Sequence, residues 1–298
     1  MPLFLFAARH ARWCLILGLI AGLALPGLAA ILKPWLPHLV AGLLFLSALR
    51  IGPKAALGNL TDLRRTLSIL TAYQVALPLI ILALFTVFGL ASATMALAII
   101  LLCAGPSVTG SPNFTALMGH DPAPPMRLLI LGTALFPLTV LPIFWLTPGL
   151  GDFSIVLSAT LRLISVILIA AAAGFALRIA WAPDATQIRA IDGVSAITLG
   201  IIVVGLMFAL APALSTDPIL VAKWMILALA VNFGLQLAAF KALRAPGEAI
   251  VAGNRNIALY LVALPTNITD PLLIFIGCYQ IPMYLTPMIM ARLYRKAP

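Results

Sequence analysis

Charge is scarce in this chain, and negative charge is the scarcest. Only 9% of its 298 residues are charged, and eight carboxylates stand against 18 Lys and Arg. A soluble domain carries about 25% charged residues and roughly 45–50% apolar ones. Here 63% are hydrophobic and the mean hydropathy is +1.15. No soluble core hides that much apolar surface, so lipid is the expected solvent for most of the chain. Cysteine is equally sparse. Cys14, Cys103 and Cys278 stand singly in apolar runs, which excludes a disulfide framework and a cysteine metal cluster. No aromatic–basic patch accompanies the net charge of +10, so nucleic acid is not an expected partner.

What is present is a series of apolar runs. Hydropathy and helix breakers give ten spans, at 13–32, 38–51, 67–90, 94–119, 126–147, 154–180, 190–212, 218–241, 247–264 and 271–291. Each approaches the roughly 20 residues that cross a bilayer as a helix. The stretch 53–66 is too polar to span and reads as an interfacial loop or short helix. The first 30 residues resemble a signal peptide, but with nine spans behind them they read as a first transmembrane helix. The expected fold is an all-α integral membrane protein with no soluble domain.

Lys and Arg set the orientation. With the N-terminus inside, the inner segments hold Arg9, Arg12, Arg50, Lys54, Arg64, Arg65, Arg127, Arg178, Arg189, Lys241, Arg244, Arg292, Arg295 and Lys296, which is 14 of the 18 basic residues. Lys33 is in an outer loop and Lys223 near an outer end. This bias predicts a multi-pass protein of the plasma membrane (the inner membrane in a bacterium) with both termini cytoplasmic. Arg162 and Arg255 remain inside the bilayer. The eight acidic residues and the three histidines lie at span ends or in loops, so the interior has arginine and no carboxylate.

That census also argues against an enzyme. Intramembrane proteolysis needs a Ser–His pair or paired aspartates, and haem needs two facing histidines. A channel is a weaker alternative, because nothing suggests a ring of pore residues.

The fourth and ninth spans share a pattern. The fourth contains Gly105-Pro106-Ser107-Val108-Thr109-Gly110-Ser111-Pro112-Asn113-Phe114-Thr115, and the ninth Ala252-Gly253-Asn254-Arg255-Asn256-Ile257-Ala258. Both carry Gly-x-x-Asn, offset by 143 residues, about half the chain. Each is a polar break midway along an apolar span. Paired interruptions of this kind point to a transporter site built from inverted repeats. Five spans per repeat, residues 1–150 and 151–298, would enter the membrane in opposite senses. Ser111 as N-cap and Pro112 as first helical residue predict a half-helix starting at Pro112, and Asn254 predicts a cap for a second one starting near Arg255. The candidate substrate contacts are Arg255, Asn254, Asn256, Thr109, Ser111, Asn113 and Thr115, with Arg162 and Cys103 as further candidates. An intramembrane arginine marks function by default.

At these residues the chain resembles the bile acid:sodium symporter family, in the wider group of arsenite exporters and auxin-efflux-type carriers. The resemblance rests on Pro106-x-x-Thr109-Gly110-Ser111-x-Asn113-x-x-Ala116-Leu117, on Gly253-Asn254-Arg255-Asn256-Ile257-Ala258-Leu259, and on Tyr73-Gln74-x-Ala76-Leu77-Pro78 in the third span. It implies ten spans with broken, crossing fourth and ninth helices. It also implies alternating-access transport of a small organic anion, a core domain moving against a panel domain. In sodium-coupled members, the resemblance implies, ions are held near the crossover. Gln74, Ser111 and Asn113 would be the remnant of that site here. The family's ninth-span acidic position falls on Val251 and its glutamine position on Arg255, while the fifth span has Pro125, Met126 and Leu129 where hydroxyls are expected. Arg255 is therefore expected to replace the sodium ion. Sodium-coupled symport and an arsenite exporter using Cys103 are the alternatives. No other cofactor or metal is expected.

Overall fold

A computed structural model describes residues 1–58, 62–150 and 152–295. Residues 59–61 of the polar 53–66 stretch and Lys296 lie outside it, as does the side chain of Arg12. Among the described residues every regular element is helical.

The chain opens with α1 (Pro2–Arg9) and α2 (Ala11–Ala24), separated at His10. Then come α3 (Pro26–Leu32), α4 (Leu36–Ile51) and α5 (Pro53–Gly58). The third apolar run comprises α6 (Leu63–Thr71), a π-helical turn at Ala72–Ala76, and α7 (Leu77–Val87). The fourth is α8 (Thr94–Ala104) and α9 (Ser111–Leu117). Four long helices follow: α10 (Ala123–Leu146), α11 (Phe153–Trp181), α12 (Ala185–Thr216) and α13 (Pro218–Leu243). The ninth run is α14 (Pro246–Gly253), a 3-10 turn at Ile257–Leu259, and α15 (Tyr260–Ala263). The last comprises α16 (Thr266–Thr269), a 3-10 turn at Asp270–Leu272, α17 (Leu273–Ile289) and α18 (Ala291–Tyr294).

Seven of these runs are long and apolar enough to cross a membrane: Pro26–Ile51, Leu63–Val87, Ala123–Leu146, Phe153–Trp181, Ala185–Thr216, Pro218–Leu243 and Thr266–Ile289. The bent pair α1 and α2 makes an eighth if taken together. The fourth and ninth runs fail such a length test because each is broken. The 11 residues of α8 extend only about 16 Å, half a hydrocarbon core of about 30 Å.

The start of the chain differs from expectation. The sequence places a boundary at Lys33–Pro34, between spans 13–32 and 38–51. The structure carries one apolar run from Pro26 to Ile51 and breaks instead at Leu25, the C-cap of α2. Pro26 has no N–H to continue α2 and suits the first turn of a new helix. Pro34 and Pro37 also lie in first turns, of the Lys33–Trp35 3-10 helix and of α4, and there a proline does not interrupt.

The chain forms two compact units, each drawn from both halves of the sequence. The first gathers Met1–Gly58, Ser165–Trp224 and Pro265–Cys278. The second gathers Asn59–Ile164, Met225–Leu264 and Tyr279–Pro298. In the first unit α12 is the central helix, and small residues let it approach its neighbours closely. A Cβ on Gly18 would stand 2.5 Å from the Gly200 carbonyl oxygen, and one on Gly200 would stand 2.8 Å from that of Cys14. Two ion pairs tie this unit near its surface, Lys33 to Asp270 at 2.7 Å and Arg50 to Asp192. In the second unit, Arg65 pairs with Glu248 at 2.8 Å.

Candidate functional site

Among the described residues, most of the deeply buried polar groups lie at the two breaks or bond to groups there. The first begins where α8 ends. Gly105 takes an extended conformation (φ −59°, ψ 150°) and Pro106 cannot donate a helical hydrogen bond. Helix resumes at Ser111, one residue before the expected start at Pro112, with Gly110 rather than Ser111 at the cap and Pro112 still in the first turn. The second begins where α14 ends at Gly253. Asn254 (φ −115°, ψ 85°) and Asn256 (φ −88°, ψ 72°) are non-helical, so helical structure resumes at Ile257 rather than near Arg255.

The two extended segments pair with each other. Val108 N donates to Asn254 O at 3.0 Å, and Asn256 N donates to Pro106 O at 2.8 Å. Ser107 and Arg255 thereby form an antiparallel bridge. The pairing answers the main physical objection to broken helices in lipid, where unsatisfied backbone groups are untenable. Each break supplies hydrogen-bond partners to the other.

Arg255 lies at the centre and is 1% exposed. Its Nε donates to Ala252 O at 2.9 Å and its Nη1 to Gly105 O at 3.0 Å. These carbonyls sit at the C-terminal ends of α14 and α8. A helix C-terminus is equivalent to roughly half a negative charge, so two of them together offset the guanidinium. The helices that resume, α9 and α15, have only 7 and 4 residues, while Arg255 is bonded to the C-terminal ends of α14 and α8. The guanidinium also lies over the Tyr73 ring, 4.9 Å from its centroid, within reach of a cation–π attraction. Among the described residues no carboxylate pairs with it. Among the described residues its Nη2 has no hydrogen-bond partner, nor has the buried Tyr260 Oη. Tyr73, Cys103, Tyr260 and Tyr279 all lie within electrostatic reach of the guanidinium.

Asn254 has a different task from the predicted one. Rather than capping a following helix, its Nδ2 donates back to Ile250 O at 2.8 Å, and its Oδ1 accepts from Thr286 Oγ1 at 3.3 Å. It opens a buried network that sequence reasoning missed. Asn232 Nδ2 and Tyr279 Oη donate to Gly253 O. Gln236 Nε2 donates to Asn232 Oδ1 at 2.7 Å and to Thr286 Oγ1 at 3.0 Å, and Tyr294 Oη donates to Gln236 Oε1 at 3.1 Å. Asn232, Gln236, Asn254, Tyr279, Thr286 and Tyr294 are all 0% exposed. The available signal was Asn232-x-x-x-Gln236, two amides one turn apart on an apolar helix. Gly253 permits this packing, because a Cβ there would stand 2.2 Å from Asn232 O.

Of the other predicted residues, Ser111 and Thr115 are fully buried. Ser107 Oγ donates to Ser111 Oγ at 3.0 Å, and Thr115 Oγ1 donates to Ser111 O at 2.9 Å. Thr109 and Asn256 are half-buried in the breaks. Cys103 is fully buried on α8. Asn113 and Arg162 are exposed. Gln74 is buried, but α10 holds it: its Nε2 donates to Gly132 O at 3.4 Å, and its Oε1 accepts from Thr139 Oγ1 at 3.0 Å. It lies in the π-helical turn, a feature frequent at functional sites. Thr139 is a fifth-span hydroxyl that the sequence comparison did not single out. Tyr73 links the centre to an edge, since its hydroxyl donates to Glu248 O at 3.2 Å while Glu248, 4% exposed, pairs with Arg65.

No protein-family model matches this chain, and no curated protein matches it either.

Proposed function

We propose that this protein is a secondary transporter that moves a small organic anion by alternating access, with its site at the paired breaks and Arg255 as the fixed positive charge. One observation carries the reading: the breaks at 105–110 and 254–256, half a chain apart, are hydrogen-bonded to each other around a buried arginine that has no carboxylate partner among the described residues. A soluble-protein core or a simple helical anchor has no use for such an arrangement, which is costly in a membrane. The pairing of the breaks supports ten spans in two inverted repeats, with the fourth and ninth broken. The two compact units support a core and a panel, as the resemblance to the bile acid:sodium symporter family implies.

The ion pairs support the topology. Arg50–Asp192 and Arg65–Glu248 each join segments the charge bias assigns to the cytoplasm. A miscounted span between partners would put them on opposite faces. The proposed setting is the plasma membrane with cytoplasmic termini. No chemistry is assigned to the site, which holds the substrate without reacting with it.

Arg255 fills the role a bound cation plays where half-helix C-termini meet. The site therefore has its positive charge without sodium. Purified protein in proteoliposomes should take up radiolabelled organic anions saturably, and Arg255→Ala should lose at least about tenfold in rate, the loss of roughly 1.4 kcal/mol or more of anion binding. Near wild-type uptake by Arg255→Ala would contradict the reading.

A further inference from the structure

Resting on that reading of the site, we propose that Arg65, Glu248 and Tyr73 form a latch that closes Arg255 off from the face the charge bias assigns to the cytoplasm.

Two charged residues are buried among the described ones, Glu248 and Arg255. Glu248 lies in the first turn of α14 and Arg255 just past its end. The helix between them is buried from Gly247 to Gly253, and a Cβ on Gly247 would stand 2.8 Å from Pro125 Cδ on α10. The partner of Glu248 comes from the other half of the sequence. Arg65 Nη2 on α6 donates to Glu248 Oε1 at 2.8 Å, and the two side chains are 53% and 6% exposed. An arginine in solvent thus reaches inward to a carboxylate that is not. Tyr73 connects this pair to the crossover. Its hydroxyl donates to the Glu248 carbonyl oxygen at 3.2 Å, and its ring lies 4.9 Å from the Arg255 guanidinium.

A crevice marks where the seal lies. Asp62, Arg65, Arg127 and Glu248 line it, with Ile69 and Leu128 in its walls. Its volume of about 20 Å³ is room for one water. Ile69 and Leu128 also belong to an apolar cluster with Leu70 and Val251, against which Tyr73 packs. Charge therefore gives way to an apolar layer, then to Tyr73 and Arg255. The Arg65–Glu248 pair is suited to release. A half-exposed arginine gains little from its partner. Glu248 left behind keeps the favourable field of a helix N-terminus and can be reached by water. Any shift of Glu248 moves the carbonyl that holds Tyr73. All of these residues belong to the second compact unit, so the latch opens within that unit.

The test reads access instead of transport. The reporter is Val251→Cys, 2% exposed in the wild type, in the full chain with Cys14, Cys103 and Cys278 replaced by Ala. It is labelled in detergent with a charged methanethiosulfonate reagent. Labelling should be slow while Arg65 and Glu248 are present. Arg65→Ala and Glu248→Gln should each speed it at least about fivefold, equivalent to about 1 kcal/mol in the opening equilibrium. Arg65→Lys keeps the charge and should stay within about twofold. Ile202→Cys, 2% exposed in the first unit, is the control and should not respond. Hydrogen exchange on the chain with its native cysteines gives an independent reading: Arg65→Ala should speed exchange along α14 and leave α12 unchanged. Fast labelling of Val251→Cys with the pair intact would overturn the latch. So would an unchanged rate in Arg65→Ala, an equal rise at Ile202→Cys, or a rise in Arg65→Lys as large as in Arg65→Ala. None of these outcomes depends on anion uptake, which tests the transporter reading separately.

Discussion

The two compact units differ in what they bury. Among the described residues, every buried polar or charged one except Thr269 belongs to the second unit. The first unit is held by apolar side chains and close glycine contacts along α12, with ion pairs left partly in solvent. The second contains the amide–hydroxyl network, the paired breaks and Arg255. Lipid offers no hydrogen bonds, so buried polarity survives only where partners are arranged for it. One unit therefore has the chemistry of a scaffold and the other that of a site.

Substitutions can break or sharpen this contrast. The largest effect is expected at Arg255. Replacing it by Ala removes two charge-assisted hydrogen bonds to buried carbonyls, each worth about 1.5–3 kcal/mol, so thermal unfolding in detergent should fall sharply. Lys should restore only part, since a single ammonium does not reproduce the planar fork. The matching change in the first unit, Arg50→Ala, breaks a pair whose side chains are 27% and 33% exposed, and should cost under about 1 kcal/mol. Equal losses for the two would erase the distinction between the units.

Next come the close backbone approaches. Gly253→Ala would drive a methyl to 2.2 Å from Asn232 O, a strain of about 1–3 kcal/mol, and should impair transport as well as stability. Gly200→Ala, 2.8 Å from Cys14 O, should destabilise by a similar amount and leave substrate affinity unchanged. Gly234→Ala meets nothing within 4 Å and should be neutral or stabilising by up to about 1 kcal/mol. Asn232→Ala strips partners from Gly253 O and Gln236, for about 1–3 kcal/mol. The smallest effect belongs to the surface: Asp184 caps α12, with Thr186 N and Gln187 N donating to its Oδ1 at 2.8 Å, and Asp184→Ala should cost about 1 kcal/mol with no change in transport.

Much of this was legible in the sequence because lipid imposes strict rules. Long apolar runs with basic ends gave the helices, and Gly, Pro and Asn in mid-span gave both breaks. Arg255 stood out because a charge there requires a reason. What sequence could not give was partnership. Nothing in Asn254-Arg255-Asn256 says that the segment pairs with Pro106–Val108 instead of starting a helix, because that choice depends on backbone groups about 150 residues away. Asn113 was expected beside Ser111, but in a helix beginning at Ser111 the two point in different directions, and Asn113 is exposed. Arg162 likewise lies on an exposed face of α11. The break at Leu25 depended on Pro26 ending one helix while Pro34 merely joined another, a distinction set by helical register.

On the proposed function, the tethered Arg255 guanidinium supplies the positive charge at the crossover, so anion movement should need no sodium. The direct measurement is uptake of a bound anion into proteoliposomes with sodium replaced by choline at constant membrane potential. Equal initial rates are expected in the two buffers, and uptake that stops when sodium is removed would rule out a sodium-independent site.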